Sequence, residues 1–446
     1  MNERKIILRE EQSPGDILTM SRAVYDLCRA YPDWQIDVHS ACPDLFENSP
    51  FITKLEQSES DVEVYTITYD DINKSGWDGL HFSDAFRNDI ERKLNDLHIF
   101  SFSIPLPRVD DLGKVKEYVK SAFQKQWHPL VEDDILQVKP REGDDYVWHL
   151  FQGDTLYSLV GKADNKKVNI EVYIHDDRQS DPVQIPKTGL YPELFFSDEE
   201  LSWYNQVHCT YYWDGPFWLL NAGMKSDNEL KQYHRWQEVV DILNDVWQGR
   251  VRIVQIGSKS AGGMSHIHRP LRGVFSLVGQ TTTRELLRLA YWSDGLIGPI
   301  SFQFVIGASE FKNTKEEVLR RYKPNVVVAG GKEGLRWHVY NHVRWLNKNG
   351  CLPCAESDGC WLGGKKGKCR NLIKPDDMDE TVPLCFELTT PEEIAQAVLD
   401  HYNGSRLELP EEQEWHIPEG ENPERHIEKY ENCYREGIIP EIVTFG

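Results

Sequence analysis

The sequence predicts an α/β fold with two successive domains, each built around a parallel sheet. Apolar runs at residues 5–9 and 35–39 flank a segment with helical periodicity at 17–31, and together they make a β-α-β unit. Alternating strand-like and helix-like segments begin again at residue 217. The chain has 446 residues, about three times the usual size of one domain, so a single hydrophobic core is not expected to hold all of it.

The two predicted domains are separated by a stretch in which this alternation stops. Between about 155 and 206 the sequence becomes charged and Pro-containing, which indicates a domain connection. After it, strands are predicted at 217–223, 251–257, 295–297 and 325–329, and helices at 235–247 and 283–292. We therefore expect domains at 1–205 and 206–403, followed by an acidic tail at 404–446 that lies on the surface or serves as a contact arm.

Composition and charge restrict the class of protein. Hydrophobic residues make up 40% and aromatic residues 11% of the chain, which excludes global disorder. Asp and Glu number 72 against 50 Lys and Arg, and this net charge of -22 argues against binding to nucleic acid. The sequence shows neither a signal peptide nor an apolar run of about 18 residues, so we expect a cytoplasmic protein without a transmembrane segment.

The loop after the first strand carries a candidate catalytic residue. Gly15 allows a tight turn, and Asp16 follows it where the helix begins. One interpretation makes Asp16 an N-cap that accepts backbone N–H groups and meets the helix dipole. The other makes it a general base, because the carboxyl edge of a parallel sheet is the ligand-binding side. The motif alone does not decide between them.

Two lysines follow the predicted strand at 217–223. Lys225 and Lys231 lie between that strand and the next helix, and a strand-to-helix turn offers both cations and free backbone N–H groups to a diphosphate. The alternative is that both are solvated loop charges.

These segments resemble glycosyltransferase family 9, the ADP-heptose:lipopolysaccharide heptosyltransferases and their relatives. Gly15-Asp16-Ile17-Leu18 and the surrounding residues are similar to the family's N-terminal domain, and the resemblance covers roughly 4–52 and 215–402. It implies the GT-B fold, in which two Rossmann-like domains face a cleft, one for the acceptor and one for the nucleotide sugar. It also implies that Asp16 is the catalytic base and that Lys231, then Lys225, grips the diphosphate.

Two further segments resemble donor-binding motifs of the family. Residues 274–286 are similar to its Gly-Lys-Thr-x-x-x-Glu-Leu segment, which makes Gly279 and Thr282 candidate donor contacts; capping of the next helix by Thr282 or Thr283 is the alternative. Residues 294–302 stand in place of its Gly-Asn-Asp-Ser/Thr-Gly-Pro-Met-His motif but lack the acidic residue and the His. Ser301 remains as a hydroxyl donor to phosphate, and donor recognition is expected to be altered.

The sequence has a Cys-rich segment at 350–386 within the second predicted domain. Five cysteines cluster there, namely Cys351, Cys354, Cys360, Cys369 and Cys385. In a reducing compartment such a cluster predicts a metal site rather than a disulfide framework, and four thiolates suit tetrahedral Zn or Fe in a structural role. Chance clustering of free thiols and a redox-active C-x2-C pair are the alternatives. The segment resembles that of autotransporter heptosyltransferases, a related group whose cysteines hold iron.

The function that this resemblance implies is inverting glycosyl transfer. A nucleoside-diphosphate sugar would give its sugar to a hydroxyl of a glycan, protein or small-molecule acceptor, and the sequence leaves homo-oligomerisation open. Three other hypotheses stay open: a non-catalytic sugar-nucleotide-binding relative, a transferase acting on modified DNA bases, which needs a local basic groove, and a zinc-ribbon interaction module fused to an α/β enzyme.

Overall fold

The computed structural model describes residues 4–59, 62–67, 80–105, 135–140, 145–152, 155–164, 167–175, 183–225, 233–258, 260–261, 264–330, 335–338, 340–348, 369, 371–375, 381–403 and 407. The strands within them are β1 Lys5–Glu10, β2 Gln35–Ser40, β3 Val62–Thr66, β4 Asp96–Pro105, β5 Ile135–Pro140, β6 Asp145–Gln152, β7 Thr155–Asp164, β8 Lys167–His175, β9 Glu193–Phe196, β10 Phe217–Leu220, β11 Met224–Lys225, β12 Arg252–Gln255, β13 Ser260–Ala261, β14 Met264–Ile267, β15 Phe275–Ser276, β16 Gly295–Gly298, β17 Glu310–Asn313, β18 Val318–Arg320, β19 Asn325–Val328, β20 Val343–Leu346, β21 Leu372–Ile373 and β22 Val382–Pro383. The α-helices are α1 Pro14–Ala30, α2 Phe82–Asn95, α3 Asp198–Leu201, α4 Gln206–Tyr211, α5 Trp236–Trp247, α6 Thr283–Trp292, α7 Phe302–Gly307, α8 Leu335–His338, α9 Leu384–Glu387 and α10 Pro391–Leu399, and a 3-10 helix spans Pro43–Phe46.

The predicted N-terminal β-α-β unit is confirmed. Strand β1 lies between β2 and β3 and runs parallel to both, with Ile6 opposite Ile36 on one side and Glu63 on the other. Helix α1 connects β1 to β2, and its side chains from Ile17 to Cys28 are buried. The buried side chains include Arg22 and Asp26 as well as apolar residues, so α1 is enclosed on several sides, by both halves of the chain.

A second parallel sheet follows from residue 217, as the alternation predicts. Its six strands lie in the order β15-β12-β10-β16-β19-β20, and every neighbouring pair is parallel. The predicted helices at 235–247 and 283–292 are present as α5 and α6. Strands β10, β16 and β19 are buried along their whole length, as expected for a sheet that is covered on both faces.

The two parallel sheets share one apolar cluster in the described part of the chain. It contains Ile6 and Leu8 of β1, Leu219 of β10 and Phe304 of α7. The start of α1 lies against the start of α7, where a Cβ on Gly15 would be 3.5 Å from the Cα of Phe302. The two halves of the chain are therefore packed directly together at this point.

A buried ionic cluster joins the same halves. The carboxylate of Glu193 on β9 accepts hydrogen bonds from Arg22 at 2.5 Å and Arg29 at 2.6 Å, and Lys312 of β17 lies 2.9 Å away. Strand β9 also pairs in parallel with β17. A carboxylate without exposure to water needs such partners, because an isolated buried charge is strongly destabilising.

The domain connection predicted between residues 155 and 206 is wrong for residues 155–175, most of which form strands. Strands β7 and β8 occupy most of residues 155–175 and belong to a five-stranded antiparallel sheet with the order β4-β8-β7-β6-β5. Residues 176–182 and nearly all of the predicted tail lie outside the described residues. Among the described helices, none has the length and apolar character needed to cross a membrane.

Candidate active site

Both parallel sheets have a point at which the strand order reverses. In the first sheet β2 lies on one side of β1 and β3 on the other; in the second, β12 and β16 lie on opposite sides of β10. In open α/β sheets, ligands bind outside the carboxyl ends of the strands at such a point. The loops that follow β1, β10 and β16 are therefore the candidate positions for functional side chains.

Asp16 lies at one of these positions but is not the N-cap of α1. The N-cap is Ser13, and α1 begins at Pro14, so Asp16 is in the first turn of the helix. Its carboxylate accepts a hydrogen bond from the Ser13 hydroxyl at 2.5 Å. Asp16 is half-buried, so it is accessible to a ligand and its negative charge also meets the helix dipole favourably. The N-cap interpretation of Asp16 is wrong in this detail, whereas its role as a base stays a prediction.

Glu10, the last residue of β1, is a carboxylate that sequence reasoning missed. Only 1% of Glu10 is exposed; its Oε1 accepts the N–H of Gln12 at 2.8 Å and its Oε2 has no hydrogen-bond partner among the described residues. Burial raises the pKa of Glu10 to about 7, and the negative charge of Asp16 also raises it. The hydrogen bond from the Gln12 N–H acts in the opposite direction and lowers the pKa. A glutamate at a strand end is usually solvated, so its burial could not be recognised from the sequence.

The loops after β10 and β16 meet through a cluster of polar side chains. The side-chain amide of Asn221 donates to the hydroxyl of Ser301 and to the amide oxygen of Gln303, both at 3.0 Å. Ser301 and Gln303 also bond to each other, and Gln303 donates to the backbone oxygen of Pro299 at 2.8 Å. Gly298, with φ +159°, leaves room for this arrangement, since a Cβ there would be 2.6 Å from Gln303 Nε2. The altered motif at 294–302 thus forms an ordered polar cluster at the strand-order reversal.

Gly279 and Thr282 have structural roles at the same edge of the sheet. Gly279 adopts a left-handed backbone with φ +66°, and its N–H donates to the carbonyl of Gly257 at 2.7 Å. Thr282 is the N-cap of α6: its hydroxyl accepts from the N–H of Glu285 at 3.2 Å and Glu285 bonds back to the N–H of Thr282 at 2.7 Å. The capping alternative is therefore confirmed for Thr282, and donor contact by either residue stays a prediction.

His268 is a second residue that the sequence did not single out. Its ring fills the space beside Gly223 and Gly257, at the ends of β10 and β12, so closely that a Cβ on either glycine would collide with it. Its Nε2 bonds to the carbonyl of Ser258 at 2.9 Å, and burial lowers the pKa of the imidazole. A neutral imidazole thus lies at the carboxyl edge of the sheet.

The two predicted phosphate-binding lysines are only partly covered by the structure. Lys225 belongs to β11, which pairs with β14 so that Lys225 is opposite His266. Lys231 lies outside the described residues. Lys225 thus lies in a short strand within the connection between β10 and α5, and phosphate binding by the two lysines stays a prediction.

Of the five clustered cysteines, Cys369 and Cys385 fall within the described residues, and Cys351, Cys354 and Cys360 do not. Strands β21 and β22 pair with Leu372 opposite Pro383, so Cys369 before β21 and Cys385 after β22 leave the same end of this ladder. Cys369 is a free thiol. Within the described ranges, no three His, Cys, Asp or Glu side chains come together as metal ligands. Outside the cluster, Cys209 is disulfide-bonded, which the sequence did not lead us to expect.

Comparison with protein-family models and with curated protein sequences finds no match. Solved structures with a similar chain path include the dodecameric iron-containing heptosyltransferase TibC of enterotoxigenic E. coli H10407. The complex of TibC with ADP-D-beta-D-heptose has 13% sequence identity to this chain and a TM-score of 0.49, and the alignment covers 90% of this chain and 77% of TibC. E. coli ADP-heptose lps heptosyltransferase II gives 12% identity, a TM-score of 0.41, and coverage of 89% and 98%. The glycosyl transferase family 9 protein of Veillonella parvula DSM 2008 gives 11%, 0.37, and coverage of 77% and 84%. To this extent the chain is similar to heptosyltransferases.

Proposed function

We propose that the protein is an inverting glycosyltransferase that moves a sugar from a nucleoside-diphosphate donor to an acceptor hydroxyl. The nucleotide would lie at the carboxyl edge of the second sheet and the acceptor at the carboxyl edge of the first, in the GT-B manner. The resemblance of the Gly15-Asp16 segment to glycosyltransferase family 9 supports this assignment of the two edges. The cytoplasmic location expected from the sequence is part of the same proposal.

One observation carries the proposal more than any other. The start of α1 lies against the start of α7, with the Gly15 Cβ position 3.5 Å from the Cα of Phe302. Helix α7 follows directly on the β16 loop, which is bound to the β10 loop through Asn221 and Ser301. Asp16 is the next residue after Gly15, so a candidate base sits beside the strand-order reversal of the second sheet. A transfer between two bound substrates requires this kind of juxtaposition.

In the proposed reaction, the acceptor oxygen attacks the anomeric carbon from the face opposite the diphosphate. The new carbon–oxygen bond forms as the bond to the diphosphate breaks, and the bonding pair leaves with the diphosphate. Asp16 accepts the proton of the attacking hydroxyl. Ser13 holds the Asp16 carboxylate in place at 2.5 Å, which restricts its orientation before the substrates bind.

The leaving diphosphate needs positive charge and hydrogen-bond donors. We assign these roles to Lys231 and Lys225, with the hydroxyl of Ser301 as a further donor. Gly279 and Thr282 would line the same edge through their backbone groups. The Cys-rich segment would hold Zn or Fe as a structural crosslink, and the shared end of the β21–β22 ladder supports Cys369 and Cys385 as two of its ligands.

Binding of nucleoside diphosphates by calorimetry tests the donor half of the proposal. We would titrate the protein with ADP, UDP and GDP and with ADP-heptose, the ligand class named for TibC. Lys231→Ala should weaken the binding of the best diphosphate and of its sugar nucleotide by a similar free energy, about 1.5–3 kcal/mol for a charge-assisted contact. Lys54→Ala, which removes a side chain that is 72% exposed on the other half, is the matched control. Absence of binding by all three diphosphates would refute the proposal.

The non-catalytic relative is the second candidate, and His268 is the observation that favours it. Its ring occupies space between the ends of β10 and β12, next to the turn assigned to the diphosphate. A protein that binds a sugar nucleotide but neither transfers nor hydrolyses the sugar would fit this candidate and not the first.

A further inference from the structure

Glu10 combines deep burial with an unsatisfied oxygen. The residue is 1% exposed, and its Oε2 has no partner among the described residues, while Oε1 is held by the N–H of Gln12 at 2.8 Å. Leaving a buried polar atom without a hydrogen bond costs free energy, so such atoms are rare in folded proteins and often mark a functional site. An unsatisfied carboxyl oxygen is complementary to a donor that a ligand brings.

Among the described residues, the surroundings of Glu10 do not supply that donor. From α1 the negative charge of Asp16 faces it, and from α2 it is faced by Asp89 and Lys93. The ammonium group of Lys93 bonds instead to the carbonyl of Thr66 and lies 3.1 Å from Asp89. On the neighbouring position of β1, the guanidinium of Arg9 donates to Gln57 at 2.5 Å. The positive groups near Glu10 are thus engaged elsewhere.

Glu10 also borders a cavity at the strand-order reversal of the first sheet. The cavity measures about 410 Å³ and is lined by Arg9, Glu10, Glu11, Gln12, Thr66 and Ile67, which belong to the ends of β1 and β3 and the residues that follow them. This is the position at which open α/β sheets bind their ligands. Its walls are mainly polar, and their carboxylate, amide and hydroxyl groups suit a polyhydroxylated ligand better than an apolar one.

We propose that Glu10 is an acceptor-binding residue, whose Oε2 accepts a hydrogen bond from a hydroxyl group of a sugar acceptor held in this cavity. Asp16, six residues later in the first turn of α1, takes the proton of the attacking hydroxyl, and Glu10 holds a second hydroxyl of the same acceptor. The inference rests on the proposed glycosyl transfer and adds to it the acceptor class and the residue that recognises it.

The first arm of the test separates a ligand-binding Glu10 from a structural one. Because burial raises its pKa to about 7, above the unfolded value, the native state prefers protonated Glu10, and stability is lost as pH rises from about 4.5 through 7. Glu10→Gln resembles the protonated form, so its Tm should exceed that of the unaltered protein by several degrees at pH 8 and equal it at pH 5. A lower Tm at pH 8 would mean that Glu10 has a structural partner and would overturn the proposal.

The second arm measures acceptor use. ADP release from ADP-heptose is followed with methyl α-D-mannopyranoside or methyl α-D-glucopyranoside as acceptor, for the unaltered protein, Glu10→Gln and the exposed control Glu56→Gln. We expect Glu10→Gln to lower kcat/KM for the glycoside at least tenfold at pH 8 with KM for the donor unchanged, and Glu56→Gln to change neither.

Each other outcome has a distinct meaning. The role of Glu10 is overturned if Glu10→Gln and the unaltered protein have equal kcat/KM. It is also overturned if the donor binds but neither glycoside accelerates ADP release. Both results leave the proposed function standing. Failure of the unaltered protein to bind any of ADP, UDP and GDP removes the proposed function, and the role of Glu10 falls with it.

Discussion

Gly15 and Phe302 lie in contact across the junction between the two halves of the chain, with the Gly15 Cβ position 3.5 Å from the Cα of Phe302 and 3.7 Å from a methyl group of Val305. A methyl group fits at this distance, whereas a longer side chain does not. The contact fixes the spacing between the start of α1, which carries Asp16, and the start of α7, which follows the β16 loop. Its integrity is therefore a condition for the proposed transfer.

The stability of Gly15 variants should show how closely α1 and α7 are packed. Gly15→Ala places its methyl group in ordinary contact and removes backbone freedom from the unfolded chain, so it should be neutral or stabilise by about 0.5–1 kcal/mol. Gly15→Leu must displace α7 and should destabilise by about 1–3 kcal/mol. Urea unfolding measures both. Equal stability of the Leu and Ala variants would show that the junction is looser than described.

His268 should be energetically coupled to Gly223. A Cβ on Gly223 would collide with the imidazole ring, so Gly223→Ala should destabilise by about 1–3 kcal/mol. In a His268→Ala background the obstacle is gone, and the same substitution should cost less than about 0.5 kcal/mol. A double-mutant cycle of unfolding free energies gives the coupling. Additive effects of the two substitutions would place the imidazole elsewhere.

His81 makes the stability of the fold depend on acid pH. The residue precedes α2, is 7% exposed, and lies against Tyr340 with a ring-centroid distance of 4.9 Å. Burial lowers the pKa of His81 to about 4, and the neighbouring His338 contributes in the same direction. Because the folded pKa is below the unfolded one, the native state prefers neutral His81. Stability is complete above pH 6.5 and is lost as the pH falls towards 4.

We expect His81 to account for about 3 kcal/mol of the unfolding free energy lost between pH 7 and pH 4. In His81→Asn the loss over this range should be smaller by that amount, while the Asn oxygen still accepts the Ser83 N–H that His81 Nδ1 accepts at 3.2 Å. His39→Asn, at a half-exposed position, is the control. Identical pH dependence in His81→Asn and the unaltered protein would show that His81 is not kept neutral.

The Cys-rich segment should hold about one Zn or Fe per chain, because four thiolates make a closed tetrahedral site. Elemental analysis of protein purified without chelators measures this. Cys369→Ser and Cys385→Ser should each lose the metal and lower the Tm, since metal binding and folding of such a segment are coupled. Cys28→Ser, which alters a buried free thiol on α1, should keep it. Metal-free, well-folded protein would rule out the site.

Periodicity predicted the parallel parts of this fold and failed on the antiparallel part. Strands β1, β2, β10, β12, β16 and β19 and helices α1, α5 and α6 follow from local apolar patterns, because buried parallel strands are short apolar runs. Strand β8 also alternates apolar residues, at Val168, Ile170, Val172 and Ile174, but the charged and Pro-containing residues after it suggested a connection. The composition of the residues after β8 thus led to the prediction of a connection where the apolar alternation of β8 indicated a strand.

The candidate site was only partly visible in the sequence. Asp16 and Ser301 stand in recognisable motifs, so their positions at two carboxyl edges were predictable. Glu10 and His268 were not, because their significance comes from burial and from the side chains packed around them. A charged residue at a strand end and a histidine in a loop are ordinary surface features until the tertiary structure covers them.

The central claim is that Asp16 is the base for transfer from a bound sugar nucleotide, and one comparison tests it most directly. Turnover of ADP-heptose with a glycoside acceptor and calorimetric affinity for ADP are measured for the unaltered protein, Asp16→Asn and the exposed control Asp33→Asn. Asn keeps the size of the side chain and an oxygen for the Ser13 hydroxyl but cannot take a proton. We expect Asp16→Asn to lower turnover by about 10²–10⁴-fold with ADP affinity and Tm nearly unchanged, and Asp33→Asn to behave like the unaltered protein. Unchanged turnover in Asp16→Asn, alongside active unaltered protein, would contradict the claim.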